Sequence, residues 1–118
     1  MEIDRVVVND FMKSNSIAIL AEADNITKMF HICKGQIELE SYGLFRQLIL
    51  NSNTDTLIDS ISGQILPQIW RQGQDVCVIG KIDENRLICA FYHSDLAAEE
   101  NYFYAKEIND KLLRLFAK

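Results

Sequence analysis

The sequence has few of the features that mark specialised classes of protein. Its 118 residues contain one proline and five glycines, and the glycines form no phosphate-binding loop. No apolar run approaches the roughly 18 residues that a membrane-spanning helix needs. The three cysteines, Cys33, Cys77 and Cys89, are an odd number without close spacing. This pattern disfavours a disulfide framework and favours free, buried thiols in a reducing compartment.

An excess of positive charge is also missing. Twelve basic residues stand against 17 acidic ones, which gives a net charge of −5 at pH 7. Binding to nucleic acid or to anionic lipid requires a positive surface, so we expect no nucleic-acid partner and no membrane partner. Residues 1–4 lack the basic start and apolar run of a signal peptide. The predicted location is therefore the cytoplasm.

The composition that remains is that of a globular protein, with 48% apolar and 25% charged residues. A chain of this length hides about two-thirds of its unfolded surface on folding, which suffices for one core but not for two. We therefore predict a single α/β domain over residues 1–118.

The first half of the chain predicts a helix over residues 2–13, strands over 16–22 and 26–34, and a helix over 42–50. The first helix follows from the helical spacing of Ile3, Val7 and Phe11. Residues 36–41 alternate between apolar and acidic side chains. They are either a further extended segment or an irregular entry into the next helix.

The middle of the chain predicts a helix that a proline interrupts. Its apolar stripe consists of Ile58, Ile61, Ile65 and Ile69, and its cap is Asn53, Thr54 or Asp55. Pro67 lies inside this pattern, where its ring would press on the carbonyl group four residues back. We expect a kinked helix, or two short helices joined near Leu66, ending at Gly73.

A second hairpin is predicted from strands over residues 75–82 and 87–93. If Glu84 and Asn85 form a two-residue loop, Ile82 pairs with Leu87 and Cys77 pairs with Tyr92. This register places Cys77 and Cys89 on opposite faces, so they should not form a disulfide. Both faces are largely apolar, which predicts a central hairpin covered on each side. Gly80 then marks either a bulge or a close approach by another backbone.

The last predicted element is an amphipathic helix over residues 96–116, capped by Ser94 and Asp95. Its apolar side chains cover more of the helix than one core contact requires. Phe103 and Tyr104 lie on either side of Tyr102 around the helix, and all three cannot reach one core. We therefore predict an interface with a partner that involves Phe103, Tyr104, Leu113, Phe116 and, on the preceding strand, Tyr92.

The sequence contains only weak indications of a catalytic or metal-binding site. His31 and Cys33 lie two apart on one strand face, the minimum for sharing a metal, but nothing in the sequence completes a four-ligand zinc set. We predict no catalytic residue, no metal and no cofactor. An apolar pocket lined by Trp70, Phe91 and His93 would instead indicate a small-molecule sensor, such as a GAF-like or PAS-like domain. An enzyme that uses Cys33 and His31 is the least favoured interpretation.

The order of elements is helix, two strands, a helical middle, two or more strands and a closing helix. This profilin-like layout most resembles the Roadblock/LC7 family, through the hairpins at residues 16–34 and 75–93 and the segment 96–116. The fold class is then α+β, a single antiparallel sheet flanked by helices in α-β-β-α-α-β-β-α order. The Roadblock layout, however, expects one long helix followed by three strands. Either a strand is missing here, or residues 36–41 supply it.

The resemblance implies homodimerisation, a scaffold or small-GTPase regulatory role, and no catalysis by the chain itself. It assigns no functional residue. The function that the sequence favours is a non-catalytic protein-interaction or regulatory module that forms a homodimer and binds a protein partner. The alternative is the small-molecule sensor.

Overall fold

A computed structural model describes residues 5–116, in which five strands form one antiparallel sheet of order β2-β1-β5-β4-β3. The strands are β1 (Ile17–Asp24), β2 (Met29–Lys34), β3 (Gln68–Gln72), β4 (Asp75–Asp83) and β5 (Arg86–His93). The helices are α1 (Arg5–Ser14), α2 (Gly43–Phe45) with a π-helical turn (Arg46–Leu50), α3 (Thr54–Ile61) and α4 (Ala98–Phe116). The predicted α+β class with a single antiparallel sheet is confirmed. The first residues of the predicted first helix, 2–4, with Ile3 of its stripe, lie outside the described residues.

The sheet is covered on both sides. Helices α1 and α4 pack on one side, which we call the α4 face, around Met12, Val78 and Leu112. The π-helical turn and helices α2 and α3 pack on the other, the α3 face, around Phe45 and Phe91. Strands β1, β4 and β5 are therefore nearly continuous apolar runs. The prediction that the second hairpin is central and covered on both sides is confirmed.

The strand missing from the predicted layout is β3. The predicted helical stripe through Ile65 and Ile69 is wrong, because α3 ends at Ile61 and residues 68–72 pair with β4. Gly63 has a φ of +76°, a left-handed conformation that an α-helix does not continue through. Asn53 is the helix cap, since its Oδ1 accepts the N–H of Thr56 at 2.8 Å. Residues 36–41 form no strand.

The register of the β4–β5 hairpin differs from the predicted one by one residue. The two-residue loop is as predicted, because Asp83 pairs with Arg86, but the register shifts between Lys81 and Asp83. Cys77 therefore pairs with Phe91 rather than with Tyr92. This shift corrects the prediction for the thiols: Cys77 and Cys89 share the α3 face, where both are free cysteines.

Helix α4 begins at Ala98, two residues after its predicted start, and Ser94 does not cap it. Instead, the Ser94 hydroxyl accepts the N–H of Leu96 at 3.2 Å in the turn that leads to the helix. Glu99 and Glu100 occupy the first turn and Arg114 the last, an order that complements the helix dipole. No helix within residues 5–116 is both long enough and apolar enough to span a membrane.

Candidate interaction surfaces

The outer side of α4 carries an exposed aromatic pair. Residues 101, 105, 108, 109, 112 and 116 turn toward the sheet at intervals of three or four. Tyr102 and Phe103 fall outside that stripe and are 48% and 62% exposed. Their rings meet edge to face with centroids 5.6 Å apart, and the Lys106 ammonium lies 5.4 Å from the centre of the Tyr102 ring. We call Tyr102, Phe103 and Lys106 the α4 patch.

Tyr104 and Leu113 are half-buried at the flanks of the same helix. The Tyr104 hydroxyl donates to the carbonyl of Asn15 at 3.1 Å, and its ring lies 5.2 Å from that of Tyr92. Burial raises the pKa of Tyr104, so the phenol stays protonated and joins α4 to the end of α1. Tyr104 therefore has a structural role within the chain, although part of it still reaches the surface.

Two of the predicted interface residues belong to the core. Tyr92 is buried under α4, where its hydroxyl donates to Oδ1 of Asn101 at 3.1 Å, and Phe116 is buried at the end of the helix. Neither side chain is available on the surface, because Tyr92 lies on the sheet face that α4 covers and Phe116 belongs to the same core. The exposed part of the predicted interface is thus Phe103, with Tyr104 and Leu113 beside it.

The three residues of the predicted pocket lie on the α3 face, where Phe91 belongs to the core and Trp70 packs against it. Phe91 is buried edge to face against Phe45, with centroids 5.3 Å apart. Trp70 packs half-buried on the same core from β3. His93 lies at the end of β5, where its Nδ1 is 3.8 Å from Asp75 and its Nε2 is 3.2 Å from Asp95. The sensor hypothesis therefore gains no support from these side chains.

His31 and Cys33 do lie on one face of β2, as predicted. His31 Nε2 is 3.9 Å from Oδ2 of Asp24, and Cys33 packs half-buried against the α4-face core. Within residues 5–116, no group of three or more His, Cys, Asp and Glu side chains gathers in a geometry that could hold a metal ion.

Among the open clefts in the described part of the chain, two that carry charged side chains lie away from the predicted pocket. The smaller, of about 210 Å³, lies between the end of α3 and the β4–β5 turn. Both of its cations are already paired, Arg86 with Glu22 at 3.2 Å and Asp83 at 2.8 Å, and Lys81 with Glu84 at 3.4 Å. The Arg86 guanidinium holds the pKa of Asp83 below its usual value, so this ion pair is internal to the fold.

The larger cleft, of about 620 Å³, lies between α1 and the segment that follows β2. Lys13, Lys34 and Asp10 are the charged residues along it, and Gln36 and Ile37 form its outer wall. Neither lysine ammonium group has a hydrogen-bond or ion-pair partner in the part of the chain that the structure describes. This cleft opens at the end of strand β2.

Strand β2 is itself an exposed edge of the sheet. All six of its residues are at least partly exposed, whereas its neighbour β1 is almost wholly buried. Met29 is 57% and Ile32 is 38% exposed. The sequence reasoning missed this edge, because an apolar strand has the same pattern at the centre and at the edge of a sheet.

The arrangement of helices and strands is that of the Roadblock/LC7-type fold. Among solved structures, the chain is similar to MglB from Myxococcus xanthus, with 13% sequence identity, a TM-score of 0.53, and 95% of this chain and 93% of that one covered. The gliding protein MglB from Thermus thermophilus has 8% identity and a TM-score of 0.58 over 93% of this chain and 86% of that one.

A further structure, MglB with a tetrameric arrangement, has 9% identity and a TM-score of 0.56 over 93% of this chain and 85% of that one. No protein-family model and no curated protein matches the sequence. At these identities the likeness shows the fold, and the activity has to be argued from the surfaces described above.

Proposed function

We propose that this protein is a non-catalytic, cytoplasmic interaction module that self-associates through the α4 patch and binds a protein partner. The observation that carries the proposal is the exposure of Phe103 beside Tyr102 on the longest helix of the structure. Exposed aromatic pairs of this kind are typical of interface centres. Cys77 and Cys89, which lie in contact and remain free thiols, support a reducing compartment.

A symmetric dimer increases the binding energy that such a small patch can supply. Burying one Phe side chain stabilises a complex by about 1.5–3 kcal/mol, and a two-fold axis buries the same side chain twice. The Lys106 stem can cover the partner's aromatic ring while its ammonium stays in water. Self-association also fits the solved MglB that has a tetrameric arrangement.

The test is sedimentation velocity over a concentration series of the wild-type chain and the Phe103→Ser variant. We expect the variant to weaken self-association at least about tenfold, which corresponds to about 1.4 kcal/mol. Ile65→Ser is the matched control, since Ile65 is 88% exposed in the loop before β3. A wild-type chain that is monomeric at every concentration, or a Phe103→Ser variant that associates like the wild type, would refute the α4 interface.

For the protein partner we propose a small GTPase, as the Roadblock resemblance implies. Titration with small GTPases of the source organism, loaded with GDP or with a GTP analogue, tests this choice. Binding that depends on the nucleotide supports it, and equal absence of binding in both states contradicts it. GTP hydrolysis by this chain alone would contradict the non-catalytic role.

A further inference from the structure

The edge strand β2 lacks the devices that usually protect a sheet edge. Natural edges are blunted by proline, by bulges, by short length or by charges along the strand. The opposite edge, β3, spans five residues, follows Pro67 and contains Arg71. Strand β2 keeps an unbroken register with β1 over six pairs, contains no proline, and carries Lys34 only at its end. Within residues 5–116 no other strand pairs with its outer side, so this edge is open to an added strand.

Both faces of this edge offer apolar contacts to an added strand. Phe30 and Ile32 lie on the α3 face, and Met29 and Cys33 lie on the α4 face. Side chains of an added strand alternate between the same two faces, so they would pack beside these residues and, on the α4 face, beside His31. The segment from Met29 to Lys34 contains no acidic residue.

The 620 Å³ cleft lies at the end of this edge. The charge of the cleft determines which charged side chain of a partner the cleft can bind. Lys34, the last residue of β2, lines the cleft together with Lys13 from α1. Two unpaired lysines against the single carboxylate of Asp10 give this spot a positive charge, on a chain whose net charge is −5. An acidic side chain is the complementary group.

We propose that β2 and the adjoining cleft bind an extended, acidic segment of a partner protein, which adds to the sheet as a sixth strand. Every strand pair in the sheet is antiparallel, and we assign the same direction to the added strand. Since β2 runs from Met29 to Lys34, the N-terminal end of an antiparallel segment reaches the cleft. The partner segment therefore has acidic residues first and alternating apolar residues after them. This proposal rests on the proposed function, since it names the surface that holds the protein partner.

The experiment measures fluorescence anisotropy of a labelled synthetic decapeptide with three N-terminal acidic residues followed by alternating Val and Thr. Three related peptides serve as controls: one with the acidic residues at the C-terminal end, one with lysine in place of the acidic residues, and one N-methylated at alternate positions. We expect the first peptide to bind best. N-methylation should abolish binding, because it removes the hydrogen bonds to the edge.

Variants of the chain locate the site. Lys13→Glu with Lys34→Glu should weaken binding at least about tenfold, and Asp10→Asn should strengthen it, because each change alters the charge of the cleft. Ile32→Lys places a charge on the edge itself and should also weaken binding. Lys81→Glu and Ile65→Lys are controls of the same chemistry at exposed positions away from β2. Circular dichroism verifies that each variant is folded.

The outcomes separate this proposal from the proposed self-association. Peptide binding that is unaffected by Ile32→Lys, or absent for every peptide at low salt, overturns the edge site even if sedimentation shows an oligomer. Binding of the lysine peptide in preference to the acidic one overturns the assigned charge. Conversely, Phe103→Ser should change sedimentation and leave the peptide affinity unchanged.

Discussion

The side chain of Asn109 on α4 lies directly over Gly80 on β4. A Cβ atom added at Gly80 would overlap Oδ1 of Asn109 and stand 3.1 Å from its Cγ. Asn109 is buried, and its Oδ1 has no hydrogen-bond partner within the described residues. Neither sequence-based interpretation of Gly80 holds as stated: the register shift lies between Lys81 and Asp83, and the group that approaches Gly80 is a side chain rather than a backbone. The glycine lets α4 pack closely on the sheet.

Gly80→Ala should therefore destabilise the protein, by about 1–3 kcal/mol, because the methyl group overpacks a buried contact. Urea unfolding monitored by circular dichroism measures the change. The double variant Gly80→Ala with Asn109→Ala should lose less stability than the sum of the two single variants, since the shortened side chain leaves room for the new methyl group. Strict additivity would show that Asn109 is not what the methyl group meets.

The buried tyrosine at the α4 face predicts a loss of stability in alkali. Burial, reinforced by the neighbouring Tyr104, raises the pKa of Tyr92 far above its usual value. A raised pKa in the folded state means that the unfolded chain releases the proton first. Stability should therefore fall as pH rises above about 10, the pKa of an unfolded Tyr.

Tyr92→Phe should weaken this alkaline dependence, leaving the smaller part that the raised pKa values of Tyr104 and Cys77 contribute. It should also cost about 1–3 kcal/mol at pH 7, because Oδ1 of the buried Asn101 loses its donor. Unfolding at pH 7 and at pH 10.5 or above measures both effects. Tyr102→Phe is the control, since Tyr102 is exposed and should leave both values unchanged. An equal slope with pH in wild type and Tyr92→Phe would contradict the explanation.

The β4–β5 hairpin shows how far the sequence determines this fold. Composition and turn chemistry correctly predict both strands and the two-residue loop at Glu84 and Asn85. They do not reveal the register shift between Lys81 and Asp83, and one extra residue is enough to exchange the two faces of β4. The thiols of Cys77 and Cys89 consequently share a face. Strand β3 was missed for a related reason, because Ile69 fits a helical stripe as well as a strand.

The same limit applies to the candidate surfaces. Helical geometry alone predicts that an aromatic side chain of α4 points outward, and Phe103 does so. Tyr92 was wrongly placed at the interface because the local pattern does not show which face of the sheet α4 covers. The exposure of β2 depends on strand order, which local pattern does not encode. The sequence therefore predicts elements better than it predicts the surfaces that those elements leave open.

The three free cysteines should differ sharply in reactivity. Cys33 is half-buried on the edge strand, whereas Cys77 and Cys89 are fully buried, and burial raises the pKa of Cys77. Titration of the native chain with a thiol reagent at neutral pH should show one fast thiol. The other two should react at least about a hundredfold more slowly, because they require local opening of the sheet. Cys33→Ser should remove the fast phase, and equal rates for all three thiols would contradict the buried placement.

Asp75 joins two distant segments through a buried carboxylate. Its Oδ1 accepts the N–H of Glu40 at 3.0 Å and its Oδ2 accepts the N–H of Ser41 at 2.8 Å. This pair of bonds holds the segment before α2 against the start of β4. Asp75→Ala should cost about 1–3 kcal/mol, since both amide groups lose a charged acceptor and exchange it for water.

Hydrogen exchange gives the sharper measurement. In Asp75→Ala the amide hydrogens of Glu40 and Ser41 should exchange faster than in the wild type, and the increase should be larger there than in β4 and β5. Asp75→Asn should restore part of the protection, since its amide oxygen can still accept one of the two bonds. Asp95→Asn is the matched control: Asp95 also faces His93 but is exposed, so stability and exchange should stay close to wild type. If Asp75→Ala exchanged like Asp95→Asn, the segment before α2 would have to be held by its apolar contact at Leu39, which is buried in the α3-face core, rather than by the carboxylate.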